Sequence, residues 1–253
     1  MGGPVEGAVE VLEDRALLAL QGPKAESVLA RFAPDSAAMR FMEARSLMIA
    51  GSACVVTRSG YTGEDGFEIS VGVSEAEMLA RALLDNASVA LAGLGARDSL
   101  RIEAGLCLYG SDIDETTTPV EATLQWAIPK VRRRGGARDG GFPGADVVLR
   151  QLDDDPARRR VGLRAQGRMP VRGGTLLFAG ASAADSVGKV TSGGFGPSIG
   201  SPVAIGYLPR PLSAVGTRVF AEVRGSRVPV EVTDLPFIPH HYKRTQSGVI
   251  AAC

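Results

Sequence analysis

Tyr61 and Glu68 flank a turn-forming run, Ser59-Gly60-Tyr61-Thr62-Gly63-Glu64-Asp65-Gly66-Phe67-Glu68-Ile69-Ser70. The glycines and Asp65 favour a tight turn between two strands. A turn of that kind holds an aromatic ring and a carboxylate near each other at one end of a sheet. The pair suits a flat heterocycle with adjacent N–H donors. The ring stacks on it, and the carboxylate accepts two hydrogen bonds from an amino-pyrimidine edge. The same pattern also describes a plain hairpin with one core aromatic and one surface acid, and spacing alone does not separate the two.

A second group is Gly95-Ala96-Arg97-Asp98-Ser99-Leu100-Arg101, continuing to Glu103-Ala104-Gly105. On a helix Arg97 and Arg101 share a face, and Asp98 can pair with Arg101. Arg97 lies near the helix N-terminus, where the dipole favours anions. Either it has a specific acceptor or it belongs to an intrahelical ladder of ion pairs. The acidic stretch Asp112-Ile113-Asp114-Glu115 lacks calcium-loop spacing and reads as a polar loop lining a cavity. Gly193-Gly194-Phe195-Gly196-Pro197-Ser198-Ile199-Gly200 resembles a phosphate loop only superficially, because it lies between strands and no helix follows it. His240 and His241 are neighbours, so on a strand they point to opposite faces and do not share a metal. No metal site is expected.

The elements that must position these residues change in type along the chain. Ala16–Leu20, Cys54–Thr57 and Phe67–Val71 read as strands, and Lys24–Phe32 as a helix with Pro23 at its start. Ser74 with Glu77 has the form of a capping box opening a helix through Leu84, and Gly95–Ala104 reads as another helix ending at Gly105. Arg132-Arg133-Arg134-Gly135-Gly136 begins a Gly- and Arg-rich loop that runs to Gly144. The arginine run is either a solvated surface or a docking patch for an acidic partner. Beyond Pro156 the candidates are short strands: Arg160–Arg164, Gly188–Ser192, Val203–Leu208, Arg218–Val223 and Arg227–Val232. The last two flank a tight hairpin at Arg224-Gly225-Ser226. The expected fold class is α+β, with a mixed α/β part over residues 1–150 and a small antiparallel β-barrel over 155–242.

Composition narrows the function. The 253 residues carry 28 basic and 28 acidic side chains, so no global field draws nucleic acid or an anionic membrane. Three scattered cysteines, Cys54, Cys107 and Cys253, match no metal spacing and suit a reducing compartment. No apolar run approaches a membrane span of about 20 residues. Met1-Gly2-Gly3-Pro4-Val5 runs quickly into strand and helix signals with no targeting segment visible, and Thr245–Cys253 runs past the recognisable motifs.

Gly60–Glu68, Gly95–Arg101 with Glu103-Ala104-Gly105, Leu108-Tyr109-Gly110, Thr191-Ser192-Gly193 and Ala204-Ile205-Gly206-Tyr207 occur in that order. Together the motifs resemble the folate-dependent aminomethyltransferase family of the glycine cleavage system, the T-proteins, over about Leu17–Tyr242. Asp112–Glu115 and Phe142-Pro143-Gly144 resemble its mitochondrial branch. The resemblance implies transfer of the methylene carbon from the aminomethyl-lipoyl arm of H-protein to tetrahydrofolate, with release of ammonia, in the mitochondrial matrix. It makes residues 1–150 an incomplete folate-binding domain. It also assigns folate contacts to Glu68, on the pterin's amino-pyrimidine edge, and to Tyr61, Arg97 and Tyr242. The family's catalytic aspartate lies in a Gly-rich segment with paired aspartates upstream of the Gly-Tyr-Thr-Gly-Glu motif. No such segment precedes Gly60, so the catalytic residue is left unassigned, and an N-terminally shortened chain with impaired transfer is expected. The alternative is a folate-binding, non-catalytic module: an iron–sulfur maturation relative or an H-protein docking fragment. Gly105-Leu106-Cys107-Leu108-Tyr109 departs from the Lys-Gly-Cys-Tyr signature of the former.

Overall fold

The computed structural model describes residues 7–244; the Met1–Val5 stretch, the Thr245–Cys253 tail and the thiol of Cys253 lie outside the described residues. Two compact units are present, one formed by residues 7–100 with 239–244 and the other by residues 101–238.

The first unit contains β1 (Arg15–Gln21), a short helix α1 (Ala25–Leu29), β2 (Ala44–Ile49), β3 (Ser52–Thr57), β4 (Gly66–Gly72) and α2 (Ala76–Leu84). Helix α3 (Leu94–Glu103) begins in it. The strands form one antiparallel sheet in the order β1-β4-β3-β2. Period-two alternation on β4 sends Phe67, Ile69 and Val71 into a core with Val56, Val28, Leu29 and Leu79. Each such side chain contributes roughly 1.5–3 kcal/mol when fully buried. The same alternation leaves Glu68 and Ser70 on the opposite, open face. In register with them are Ala19 and Thr57 for Glu68, and Leu17 and Val55 for Ser70. Leu17 and Val55 are 66% and 47% exposed, so this face of the sheet is uncovered within the unit.

Two local expectations differ from the structure, and one strand was not expected. Helix α1 is shorter than Lys24–Phe32, because Pro34 redirects the chain into a 3-10 turn over Pro34–Ala38. The capping box at Ser74 and Glu77 does not form. Val73–Glu75 make a 3-10 turn, Val73 N–H donates to the Asp14 carbonyl, and α2 starts beyond Ser74 with no side-chain cap. Glu77 instead pairs with Arg81 one turn on, at 2.7 Å. Strand β2, which the sequence reading passed over, buries only Ile49 at its end.

The second unit contains the end of α3, then α4 (Ala145–Asp154), β5 (Arg158–Ala165), β6 (Leu176–Phe178), β7 (Ser186–Gly196), β8 (Ser201–Pro209), β9 (Arg218–Val223) and β10 (Ser226–Thr233). The strands close into a six-stranded antiparallel barrel, β10-β5-β8-β7-β6-β9. Val161, Leu163, Leu177, Val190, Val219 and Val230 fill its interior. The turn between β9 and β10 places Arg224 and Gly225 at φ 52° and 77°, the left-handed pair that a two-residue hairpin of this twist requires. Helix α4 follows the Gly- and Arg-rich stretch, which is otherwise loop and 3-10 turn; it buries Val148 and Leu149, and Val148 packs with Val120 and Ile128. The fold class is therefore α+β, with a mixed helix-and-sheet unit and a closed antiparallel barrel.

Candidate functional site

The run between β3 and β4 is held from several sides. Arg58 is 1% exposed, a costly location for a charge unless carboxylates pair with it. Its Nε donates to Asp65 Oδ1 at 3.0 Å and its Nη2 to Asp65 Oδ2 and, at 2.5 Å, to Glu26 Oε2. Nη1 reaches the Met39 carbonyl at 2.9 Å, and the guanidinium lies 4.9 Å from the Phe67 ring centroid. Burial opposes the Arg58 charge, but its bonds to Asp65 and Glu26 more than offset that and raise its pKa. Glu26 is also gripped by Lys243 Nζ at 2.7 Å; the bonds from Lys243 and Arg58 hold its carboxyl below the ordinary value.

On the open sheet face a chain of hydroxyls ends at Glu68. Ser59 Oγ donates to Glu68 Oε2 at 2.6 Å, and Thr57 Oγ1 lies 2.6 Å from Ser59 Oγ. Because a carboxylate only accepts, the direction is Thr57 to Ser59 to Glu68. Among the described residues Glu68 Oε1 accepts no hydrogen bond. Tyr61 projects from the turn with the Arg97 guanidinium 4.9 Å from its ring centroid, a cation–π geometry. Arg97 is exposed and has no carboxylate within ion-pair distance among the described residues. Tyr242 stacks on Phe41, with centroids 4.0 Å apart and planes 5° from parallel, and burial raises its phenol pKa. The segment carrying Tyr242 is strapped to the turn: His241 N–H donates to the Gly63 carbonyl at 2.9 Å, and His241 Nδ1 lies 2.7 Å from Glu64 Oε1.

The structure thus brings Tyr61 and Arg97 together and hangs Tyr61 and Glu68 on one turn. No hydrogen bond joins Glu68 to Tyr61, Arg97 or Tyr242 among the described residues. Sequence reasoning missed Ser59, Arg58, Phe41 and His241 as supports. Ser59 lay within the quoted run and, at two residues from Thr57, on the face of Glu68; nothing local marks Phe41.

The second unit has its own polar cluster. Arg101 Nη1 donates to Asp112 Oδ2 at 2.6 Å and its Nη2 to Ser192 Oγ at 2.7 Å, with side chains 3% and 0% exposed for Arg101 and Asp112. Asp112 also accepts from Leu108 N–H at 2.9 Å and from Thr191 and Ser192 hydroxyls. Residues Ser111–Asp114 line a cleft of about 610 Å³ with Arg158, Lys189 and Tyr207. The Gly-rich loop that resembles a phosphate cradle does hold an anion, the chain's own Glu103. Its carboxylate accepts from Ser198 N–H at 2.8 Å, Ile199 N–H at 3.1 Å and Ser198 Oγ at 2.9 Å. A Cβ at Gly196 would stand 2.8 Å from Glu103 Oε1, so the acid and the glycine fit together. The arginine run braces its own loop: Arg132 donates to the Gly140 carbonyl, Arg133 to those of Ile128 and Gln125, and Arg134 pairs with Asp153. Among the described residues no group of three or more His, Cys, Asp or Glu could hold a metal ion, and no helix is long and apolar enough to cross a membrane.

Known proteins repeat both units. Residues 7–132 match the family model described as the GCVT N-terminal domain, and residues 158–239 match the glycine cleavage T-protein C-terminal barrel domain. The mitochondrial aminomethyltransferase of Homo sapiens is 50% identical over 236 residues, which is 92% of this chain and 57% of the human protein. That of Dictyostelium discoideum is 45% identical over 246 residues, 94% of this chain and 60% of its own length. The crystal structure of glycine cleavage system aminomethyltransferase T from Bartonella henselae superposes with a TM-score of 0.80 at 46% identity, covering 91% of this chain and 61% of that one. This chain belongs to the glycine cleavage T-protein family. It spans about three-fifths of the length of these relatives.

Proposed function

We propose that the chain serves as the tetrahydrofolate-dependent aminomethyltransferase of a glycine cleavage system, with lipoylated H-protein as its partner. Relatives at 45% and 50% identity carry the aminomethyltransferase name, and the same names support a mitochondrial location. We place a folate-binding part in residues 1–150 and a barrel part in residues 155–242.

The observation that carries the folate reading is the Glu68 carboxylate. Ser59 orients it through Oε2, while Oε1 accepts no bond among the described residues and lies on an uncovered sheet face. As an acceptor the carboxylate fits an amino-pyrimidine edge, which presents two adjacent N–H donors. The Tyr61 ring, backed by Arg97, offers a flat surface, and the Arg97 charge suits an anionic substituent. Tyr242, held by Phe41 and by the strap through His241, adds a second aromatic. Tetrahydrofolate supplies the nucleophilic nitrogen that accepts the one-carbon unit. The work of this chain's residues is to bind and orient, which is where most of the rate in such a transfer resides.

The test is calorimetry with tetrahydrofolate. Glu68→Ala is expected to weaken binding about tenfold or more, since a charge-assisted hydrogen bond is worth roughly 1.5–3 kcal/mol. Unchanged affinity in a variant with native circular dichroism rules Glu68 out as the pterin contact.

A further inference from the structure

The turn bearing Tyr61 and Glu68 is built around a side chain with no role in the proposed binding set. Gln21 ends β1 and lies in register with Gly66, on the same open face as Glu68. Its carboxamide reaches past Gly66 into the turn. Nε2 donates to the Ser59 carbonyl at 3.0 Å and lies 3.3 Å from the Phe67 carbonyl, while Oε1 accepts from Thr62 Oγ1 at 3.1 Å. Thr62 adjoins Tyr61, Phe67 adjoins Glu68, and Ser59 stands two residues before Tyr61. Thr62 Oγ1 in turn accepts from Glu64 N–H at 3.3 Å.

The two glycines explain themselves by the same amide. A Cβ at Gly60 would stand 1.7 Å from Gln21 Oε1, and one at Gly66 would stand 2.6 Å from both Nε2 and the Leu20 carbonyl. Neither glycine has a positive φ, so φ strain does not demand glycine at either position; at Gly66 the Leu20 carbonyl adds its own clash to that of the amide. At Gly60 the Gln21 carboxamide fills the space a methyl group would take, so alanine there would displace the amide. A planar group with two donors and an acceptor spans Ser59, Thr62 and Phe67 at once. An aliphatic side chain of the same length would leave their carbonyls and hydroxyl to water.

We propose that Gln21 is a positioning residue: its carboxamide sets the geometry of the Gly60–Gly66 turn and, through it, the placement of Tyr61 and of the Ser59-bound Glu68 carboxylate. The ligand part of this inference rests on the proposed folate reading; the geometric part does not.

The experiment uses the full chain labelled with 3-fluorotyrosine, its Tyr61 resonance assigned with Tyr61→Phe. Gln21→Met, which keeps length but removes the amide, is expected to shift and broaden the Tyr61 signal while leaving Tyr207, in the barrel unit, unmoved. Tetrahydrofolate affinity should fall toward that of Glu68→Ala, about tenfold or more. A reciprocal test removes dependence on any ligand. Gly60→Ala should lower the melting temperature sharply, and adding Gln21→Ala should restore part of that loss because the clash has gone. Additive losses in the double variant, or an unmoved Tyr61 signal in Gln21→Met, overturn the proposal. Glu68→Ala with unaltered affinity would sink the folate reading alone, leaving the fluorine signal and the rescue to decide on Gln21.

Discussion

Asp112→Ala should be among the most destabilising single changes in the barrel unit. The carboxylate is 0% exposed and neutralises Arg101, itself 3% exposed, at 2.6 Å. It also accepts from the Leu108 amide at 2.9 Å and the Ser192 hydroxyl at 2.9 Å. Alanine takes the Asp112 carboxylate away from the buried guanidinium, which keeps its bonds to Ser192 and the Leu106 carbonyl among its other contacts. Breaking one side of a buried pair costs about 3–5 kcal/mol. The orphaned Leu108 amide keeps the loss toward the upper end of that range. With a urea slope of about 1–3 kcal/mol per molar, the unfolding midpoint should fall by about 1 M or more. The assay is urea denaturation followed by the single tryptophan, Trp126, which reports on this unit. The double variant Arg101→Met with Asp112→Leu removes both charges and should recover part of the stability, since an apolar pair of similar volume is often neutral while the Leu108 amide and Ser192 hydroxyl still lack their acceptor. A loss below about 1 kcal/mol for Asp112→Ala would mean that water reaches the pair as it does a surface bridge, and the burial argument would fail.

Two further outcomes are expected. Glu103→Ala should cost about 1–3 kcal/mol and speed amide exchange at Ser198 and Ile199, whose N–H groups it now bonds; unchanged exchange at both would contradict the self-filled loop. Glu26 has a folded pKa below its ordinary 4.5, chiefly through Lys243 and then Arg58, so its contribution is full above that value and is lost as pH falls through the folded pKa. The stability gap between native protein and Glu26→Gln should therefore begin to close as pH falls through the ordinary 4.5 and go on closing toward acid in denaturation at stepped pH, and a gap that widens toward acid would reverse the assigned sign.

Much of the framework was legible because it is written in local periodicity. The alternation in Phe67–Val71, the continuous apolar run Val203–Leu208 and the turn residues at Arg224-Gly225 mark strands and a hairpin that lie where they were read. What escaped has a physical reason in each case. Strand β2 has one buried side chain, and β6 has three residues, too few to show a period. Helix α4 opens on Gly144 at φ 76° without a polar cap, so no start signal precedes it. Of the candidate site, the aromatic and the carboxylate were visible in the motif. The Arg58 cluster and the Tyr242 strap were not, because Arg58 draws on Glu26, thirty-two residues earlier, and His241 on Glu64, 177 residues before it. Long-range partnerships of single polar side chains leave no spacing to read.

The contrast between a closed barrel and an open sheet also bears on how the chain fails when concentrated. The barrel has no strand with an unpaired edge, whereas β1 and β2 bound the four-stranded sheet, and no strand pairs with their outer sides among the described residues. Edges of this kind are templates for further pairing, and natural proteins usually guard them with charge, proline or bulges. Here each edge strand carries one arginine near its start, Arg15 and Arg45, while Leu17 and Met48 are 66% and 59% exposed. Aggregation should therefore begin at the sheet, and lysine at Leu17 or Met48 is the change that would raise solubility without touching the barrel.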